Sequence, residues 1–294
     1  MANYNTREIN MILEKMRYES GLDSSMEHVI YQTPLRLSTL EFEKNKNTDI
    51  CTVGMAHEDG NNIMEMKMSG DVLDIKVYED TRFILDRLEA KRESRQIAND
   101  LIVFVLKFHS VFVEHFLVSM DFPDGEVRSI GRIKCGIMYA GVDNIGKWLN
   151  HVDTKRVYFN DDECVIEDRH SMEMIMKCDS VDMGIENGIT NELLMSFEGR
   201  WLELGPSQVT AKGINRFMKR MFRKSFPDEE VWFSFAVGDL RVMDILDGMR
   251  CRDAFAEIGD EGCIPLIAPQ WTITRQRNSR WILFRLLNEE TYWE

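Results

Sequence analysis

From about residue 130 the sequence falls into units: a short alternating apolar stretch, a polar turn, an amphipathic stretch at helical spacing, then another alternating stretch. "RIKCGIMYA" (132–140) places Ile133, Cys135 and Ile137 on one side of a predicted strand, and "VDNIGKWLN" follows with Ile145, Trp148 and Leu149 at helical spacing. "KRVYFND" (155–161) is the next strand, and "DRHSMEMIMKC" (168–178) carries a helical stripe of Met172, Ile175 and Met176. "SVDMGIEN" (180–187) alternates Val181, Met183 and Ile185 before a short helix in "TNELLMSF", with Thr190 as its cap. "RWLELG" (200–205) and "EVWFSFAVG" (230–238) are the last two strands, the second aligning Val231, Phe233, Phe235 and Val237. With Ile133, Val157, Val181, Leu202 and Val231 taken as equivalent, the steps are about 24, 24, 21 and 29 residues, close to the leucine-rich-repeat range.

A strand-plus-helix unit of that length cannot bury its own apolar faces, whereas stacked units share one core between a parallel sheet and a layer of helices. The expected fold class is therefore α/β: an irregular leucine-rich-repeat-like solenoid preceded by a small β-rich N-terminal module. The rival is an α/β domain with a crossed-over strand order. Upstream, "NDLIVFVLKFHSVF" (99–112) is apolar on nearly all sides and predicts a buried helix, leading into a strand in "EHFLVSMDF" (114–122). "FILDRLEAKRESRQIA" (83–98) is charge-laced and predicts an exposed helix or connector. Residues 35–79 predict several short antiparallel strands broken at "EDGN" and "SGD". The expected domains are 1–34 (helical segment), 35–98 (β module and connector) and 99–294 (solenoid).

Composition narrows the function classes. A formal net charge of −14 argues against general attraction to nucleic acid or to anionic membrane surfaces. The opening "MANYNTREINMILEKM" has no basic stretch followed by an apolar run, and no run of ~18 apolar residues exists. The expected location is the cytoplasm or nucleus. The six cysteines, Cys51, Cys135, Cys164, Cys178, Cys251 and Cys263, form no C-x-x-C pair and read as reduced thiols. Phosphate-loop, dinucleotide, nucleophile-elbow and H-E-x-x-H signatures are absent. His109 and His115 are six apart, the wrong spacing for two ligands on one helical face. Asp161-Asp162-Glu163 and Asp228-Glu229-Glu230 are consecutive runs without the alternate ligands of a calcium loop. Cys164 and His170 lack an orienting group or oxyanion donors nearby. No metal, cofactor or catalytic residue is expected.

The most basic stretch, "RWLELGPSQVTAKGINRFMKRMFRKSF" (200–226), predicts a helix with Thr210 as N-cap. Ile214, Phe217, Met218, Met221 and Phe222 fall within an arc of about 140°, and Lys212, Arg216, Lys219, Arg220, Arg223 and Lys224 lie opposite. Its place between two predicted strands gives the apolar face a destination in the core. The basic face is then solvated surface or a seat for an acidic protein partner, with nucleic acid or a membrane surface the remaining reading of such a helix.

The same stretch resembles the nematode type 2 F-box-associated domain, whose pattern runs strand, Ser, apolar-Thr, a helix carrying Asn-x-Phe-apolar-Lys, then a strand. The matching positions are Leu202, Leu204, Ser207, Val209, Thr210, Ile214, Asn215, Phe217, Met218 and Lys219. The family's aromatic-x-Gly after that Lys is replaced by Met221 and Arg223. "WTITRQRNSRWILFRL" (271–286) is similar to the family's closing pair of strands through Trp271, Ile273, Arg275, Asn278 and Arg280. The similarity spans roughly residues 95 to 290 and is most specific at 200–235.

The resemblance implies a non-catalytic protein-interaction domain, in a family whose members commonly carry an F-box that docks on Skp1 in cullin-based ubiquitin ligases. Residues 9–29 lack the Leu-Pro pair of a standard F-box. Ile9, Ile12, Leu13 and Met16 make a helical apolar face that is either an F-box remnant or a terminal helix capping the β module. Two functions follow: a substrate-recognition subunit of an SCF-type ligase, with Skp1 and a client protein as partners, or an F-box-less protein that sequesters one partner. Trp and Arg are over-represented among binding hot spots. The expected partner surfaces are therefore Lys212, Arg216, Lys219, Arg220 and Arg223, and Trp271, Arg275, Arg277, Arg280 and Trp281.

Overall fold

The computed structural model describes residues 35–44, 50–56, 62–69, 72–79, 82–89, 110–121, 132–141, 145–159, 166, 168–226, 230–238, 240–249, 261–265, 271–276 and 281–286. The fold is mixed α/β and sheet-dominated, with few and short helices and no closure into a barrel among the described residues. The chain divides into two compact units, Met1–Thr154 and Lys155–Glu294. Ile9, Ile12, Leu13 and Met16 lie outside the described residues.

In the first unit, β1 (Leu35–Lys44), β2 (Cys51–Ala56), β3 (Asn62–Ser69), β4 (Val72–Glu79) and β5 (Arg82–Glu89) form an antiparallel meander. The several antiparallel strands expected between residues 35 and 79 are present as β1–β4. β5 replaces the helix or connector expected from residue 83, because pairing with β4 along its whole length outweighs a charge pattern that reads as helix. β1 is also parallel to β6 (Val111–Val118), so the expected module boundary at residue 98 is bridged by strand pairing. β6 begins at Val111, inside the stretch expected to be helical; residues 99–109 lie outside the described residues. β7 (Ile133–Ala140) continues the parallel run, α1 (Ile145–Leu149) buries Ile145, Trp148 and Leu149, and β8 (Val152–Thr154) returns beside β7.

The alternation slips at one level in three neighbouring strands. Leu37 and Leu40, Val113 and Phe116, Ile133 and Met138 are buried, and Ser38, Glu114 and Gly136 drop out of the pairing. Ile137 therefore leaves the side it was expected to share with Ile133 and Cys135. Below the slip, Phe42, Phe116 and Trp148 pack with centroids 5.5–6.1 Å apart, and Trp148 Nε1 donates to Met120 O at 2.8 Å.

The second unit starts with four parallel strands in chain order: β9 (Arg156–Phe159), β10 (Ser180–Met183), β11 (Trp201–Leu204) and β12 (Val231–Ala236). Between them run α2 (Arg169–Ile175), α3 (Asn191–Ser196) and α4 (Ala211–Met221). Each of these helices is capped by a side chain that accepts from a backbone N–H three residues on: Asp168 from Ser171, Thr190 from Leu193, Thr210 from Gly213. Val157, Val181 and Leu202 are in register as expected, but Leu202 faces Phe233 rather than Val231. Within the first unit Ile133 pairs with Val111 and Val152. After the short α5 (Val242–Ile245), β13 (Glu261–Pro265), β14 (Trp271–Gln276) and β15 (Trp281–Leu286) join antiparallel, β15 against β12.

The core of this unit lies between the strands and the helices. Phe217 of α4 meets Phe233 at 5.2 Å and Phe235 at 5.9 Å, and Phe197 and Phe284 extend the cluster. Trp271 is buried and stacks on Phe233 at 5.8 Å, so it is a core residue and not part of an exposed patch.

Candidate protein-binding face

The expected basic face of α4 is largely committed within the unit. Arg220 Nη1 donates to Met195 O at 2.6 Å and to Glu198 Oε1 at 2.8 Å, Nη2 donates to Phe197 O, and the guanidinium lies over the Phe217 ring. Lys224 Nζ donates to Glu198 O and Oε2, and the two cations hold the Glu198 carboxyl below its usual range. Lys219 Nζ donates to Asp247 O at 2.6 Å. These bonds satisfy carbonyls at the end of α3 and after α5, groups a helix end leaves open. Lys212, Arg216 and Arg223 are exposed and form no ion pair among the described residues. They are the part of the expected basic face that no described residue engages through an ion pair. In the other expected patch, the side chain of Arg275 and all of Arg277 and Arg280 lie outside what is described, and Trp281 is half-buried on β15.

The motif behind the family resemblance has a local job. Asn215 is buried and donates through Nδ2 to Ile245 O at 2.6 Å and Asp247 O at 2.9 Å. With Lys219 it ties α4 to the segment after α5, while Phe217 fills the core. Thr210 caps α4 and is held by Asn191, whose Oδ1 accepts from Thr210 N at 2.9 Å. A β-carbon at residue 213 would come within 1.8 Å of that same Asn191 oxygen, so any larger residue there would push Asn191 off Thr210.

A different surface emerges on the side of β9–β12 that faces away from the helices. Because side chains alternate across a strand, burying Val157, Val181, Leu202 and Phe233 against the helices turns their neighbours outward. Registration assembles them into two rows. One reads Arg156, Ser180, Trp201, Trp232 and, on β15, Arg285; the next reads Tyr158, Asp182, Glu203, Ser234 and Leu283. The small Ser180 lets Tyr158 and Trp201 meet over it at 5.3 Å, and Trp201 meets Trp232 edge-on at 5.8 Å. Arg285 is engaged by Glu230 at 2.7 Å.

Asp182 and Glu203 are cross-strand partners. A β-carbon placed at Gly184 would lie 3.7 Å from Asp182 Oδ1 and 3.8 Å from Glu203 Oε1, so both carboxylates converge over a residue with no side chain. Asp182 accepts from Gly184 N at 3.2 Å. Burial raises the Asp182 carboxyl above its usual range against that hydrogen bond, and burial together with the Asp182 charge raises Glu203.

The first unit carries an outward row of its own: Arg36 and Lys134 flank Phe112, 4.9 and 5.4 Å from its ring centre, beside a shallow groove of about 510 Å³. Among the described residues no three His, Cys, Asp or Glu side chains are placed to hold a metal, and no helix is long and apolar enough to cross a membrane. His109 and Cys164 lie outside the described residues. Burial pushes the Cys135 thiol up to about 11, which makes it a poor nucleophile.

Both outward rows escape a reading of one strand at a time. Periodicity names the buried face, but which outward residues become neighbours depends on register between strands about 20 residues apart. The available signal was the aromatic or acidic residue at the off-phase positions of every strand: Tyr158, Asp182, Trp201, Glu203 and Trp232. No known family model, no characterised protein and no solved structure matches the chain.

Proposed function

We propose that the chain is a non-catalytic protein-binding subunit that holds its partner on the outward face of β9–β12. The carrying observation is the Tyr158–Trp201–Trp232 contact row, three large amphipathic rings on a regular sheet, the residue types that anchor protein interfaces. We read the sequential parallel strands, with a capped helix between each pair, as a short leucine-rich-repeat-like solenoid, an architecture suited to partner binding. The resemblance of residues 200–235 to the type 2 F-box-associated domain supports a role as substrate-recognition subunit of an SCF-type ubiquitin ligase. The absence of a Leu-Pro pair in residues 9–29 favours the second reading, stoichiometric sequestration of one protein partner.

A photo-crosslinker at position 201, followed by mass spectrometry, identifies the client, which is then made recombinantly. Binding of that client should fall at least tenfold in a Y158A/W201A chain and remain within about twofold in R216E, since a hot-spot ring contributes on the order of 2 kcal/mol. Equal loss in both, or loss in neither, removes the face from the proposal. Purified Skp1 at micromolar concentration separates the two readings: binding that depends on residues 1–34 supports the ligase subunit, and its absence supports sequestration.

A further inference from the structure

We infer that Asp182 and Glu203 seat a cationic side chain, an arginine or lysine from a basic segment of the partner protein, with the Tyr158 and Trp201 rings beside it. This rests on the proposed use of the outward face and adds the chemistry of what binds there. Three observations converge. The two carboxylates are registered neighbours aimed over Gly184, and among the described residues theirs are the side-chain atoms within 4 Å of a β-carbon placed there. Among the described residues no lysine or arginine forms an ion pair with either, although Asp179, Glu198 and Glu230 each have one. Tyr158 is the cross-strand partner of Asp182, and Trp201 stands two residues before Glu203 on the same side of its strand, so two aromatic rings, which attract cations, occupy the neighbouring positions.

Charge economy gives the direction. Half-burying two carboxylates side by side without a counter-charge costs stability, by desolvation and by mutual repulsion. An incoming cation reverses both terms at once. A guanidinium fits best, because it can bond two carboxylates through its planar fork while lying against an aromatic ring. The charge of the whole chain, −14, has the sign that draws such a partner in.

The test titrates the intact chain with a blocked Gly-Arg-Gly-Arg-Gly peptide, followed by calorimetry, beside the same peptide with citrulline in place of arginine. Citrulline keeps the shape and removes the charge. The expected result is 1:1 binding by the arginine peptide, weakened at least tenfold both by citrulline and in D182N/E203Q. The isosteric variant should melt no lower than the parent, which separates lost binding from lost fold, and W201F gives a second variant with the carboxylates intact and a smaller ring. Equal binding of the two peptides, full retention in D182N/E203Q, or no binding by either peptide overturns the inference. So does calcium at millimolar concentration binding at this pair when the peptide does not, or self-association that both E203Q and K134E abolish, which would put a second copy on the face. A recombinant client that needs Tyr158 and Trp201 but ignores D182N/E203Q sinks the cationic seat and leaves the protein-binding function standing.

Discussion

At the scale of single residues, this chain spends stability on carboxylates. Glu41 on β1 is the clearest case: burial, the neighbouring Glu43 as charge and hydrogen-bond partner, and Glu65 raise its carboxyl from 4.5 to about 7, with Lys67 opposing. The sign of the pH effect follows. The unfolded chain ionises this group near 4.5 and the folded chain near 7, so its contribution is fully favourable below the lower value and is lost as pH rises through the upper one. E41Q, which cannot ionise, should leave the melting temperature unchanged near pH 4 and raise it by a few degrees near pH 8. Thermal unfolding of both proteins across that range checks it; an offset independent of pH would mean that Glu41 acts through packing. Asp182 and Glu203 are raised for the same reason of burial, but they face outward beside aromatic rings, and that setting turns a similar cost into a recognition argument.

At the scale of elements, the alternation of strand and helix was legible where it depends on local chemistry. Thr190 and Thr210 cap their helices, Met172 and Ile175 are buried on α2 with Met176 at its C-cap, and Val157, Val181 and Leu202 fall into register. Most of what failed depends on partners distant in sequence: the slip at Ser38, Glu114 and Gly136 is shared by three strands, and Trp271 is buried because Phe233 lies against it. β5 is different, since it pairs with the adjacent β4 in a hairpin and was hidden by a charge pattern that reads as helix. The basic face of α4 was visible as a stripe, but its division into structural and free cations was not, since Glu198 and the carbonyls of Met195, Phe197 and Asp247 belong to other segments. That division is testable. R220A should destabilise the protein by about 1–2 kcal/mol, because it orphans carbonyls at the end of α3, while R216A should stay within about 0.5 kcal/mol. Denaturant unfolding of the two variants checks the contrast, and equal effects would show that the α3 contacts contribute nothing.

For the whole molecule, the surplus of 50 acidic over 36 basic residues is a long-range field, and the Asp182–Glu203 pair is a short-range contact within it. The two act on different rate constants. A negative field speeds the approach of a basic partner over distances comparable to the Debye length, whereas a seated cation slows departure. Raising ionic strength from about 50 to 200 mM shortens that length from roughly 14 to 7 Å, so the association rate of a basic client should fall on the order of fivefold. E203Q changes the net charge only from −14 to −13, since one negative charge of the total is removed, and so should keep nearly the same salt dependence of association. Its dissociation rate should rise severalfold, because a contact present only in the bound state is lost. Stopped-flow or surface-based kinetics at two salt concentrations resolves the association and dissociation rate constants of the parent and of E203Q. A variant that loses the salt dependence of association, with dissociation unchanged, would mean that Glu203 steers the partner and does not hold it.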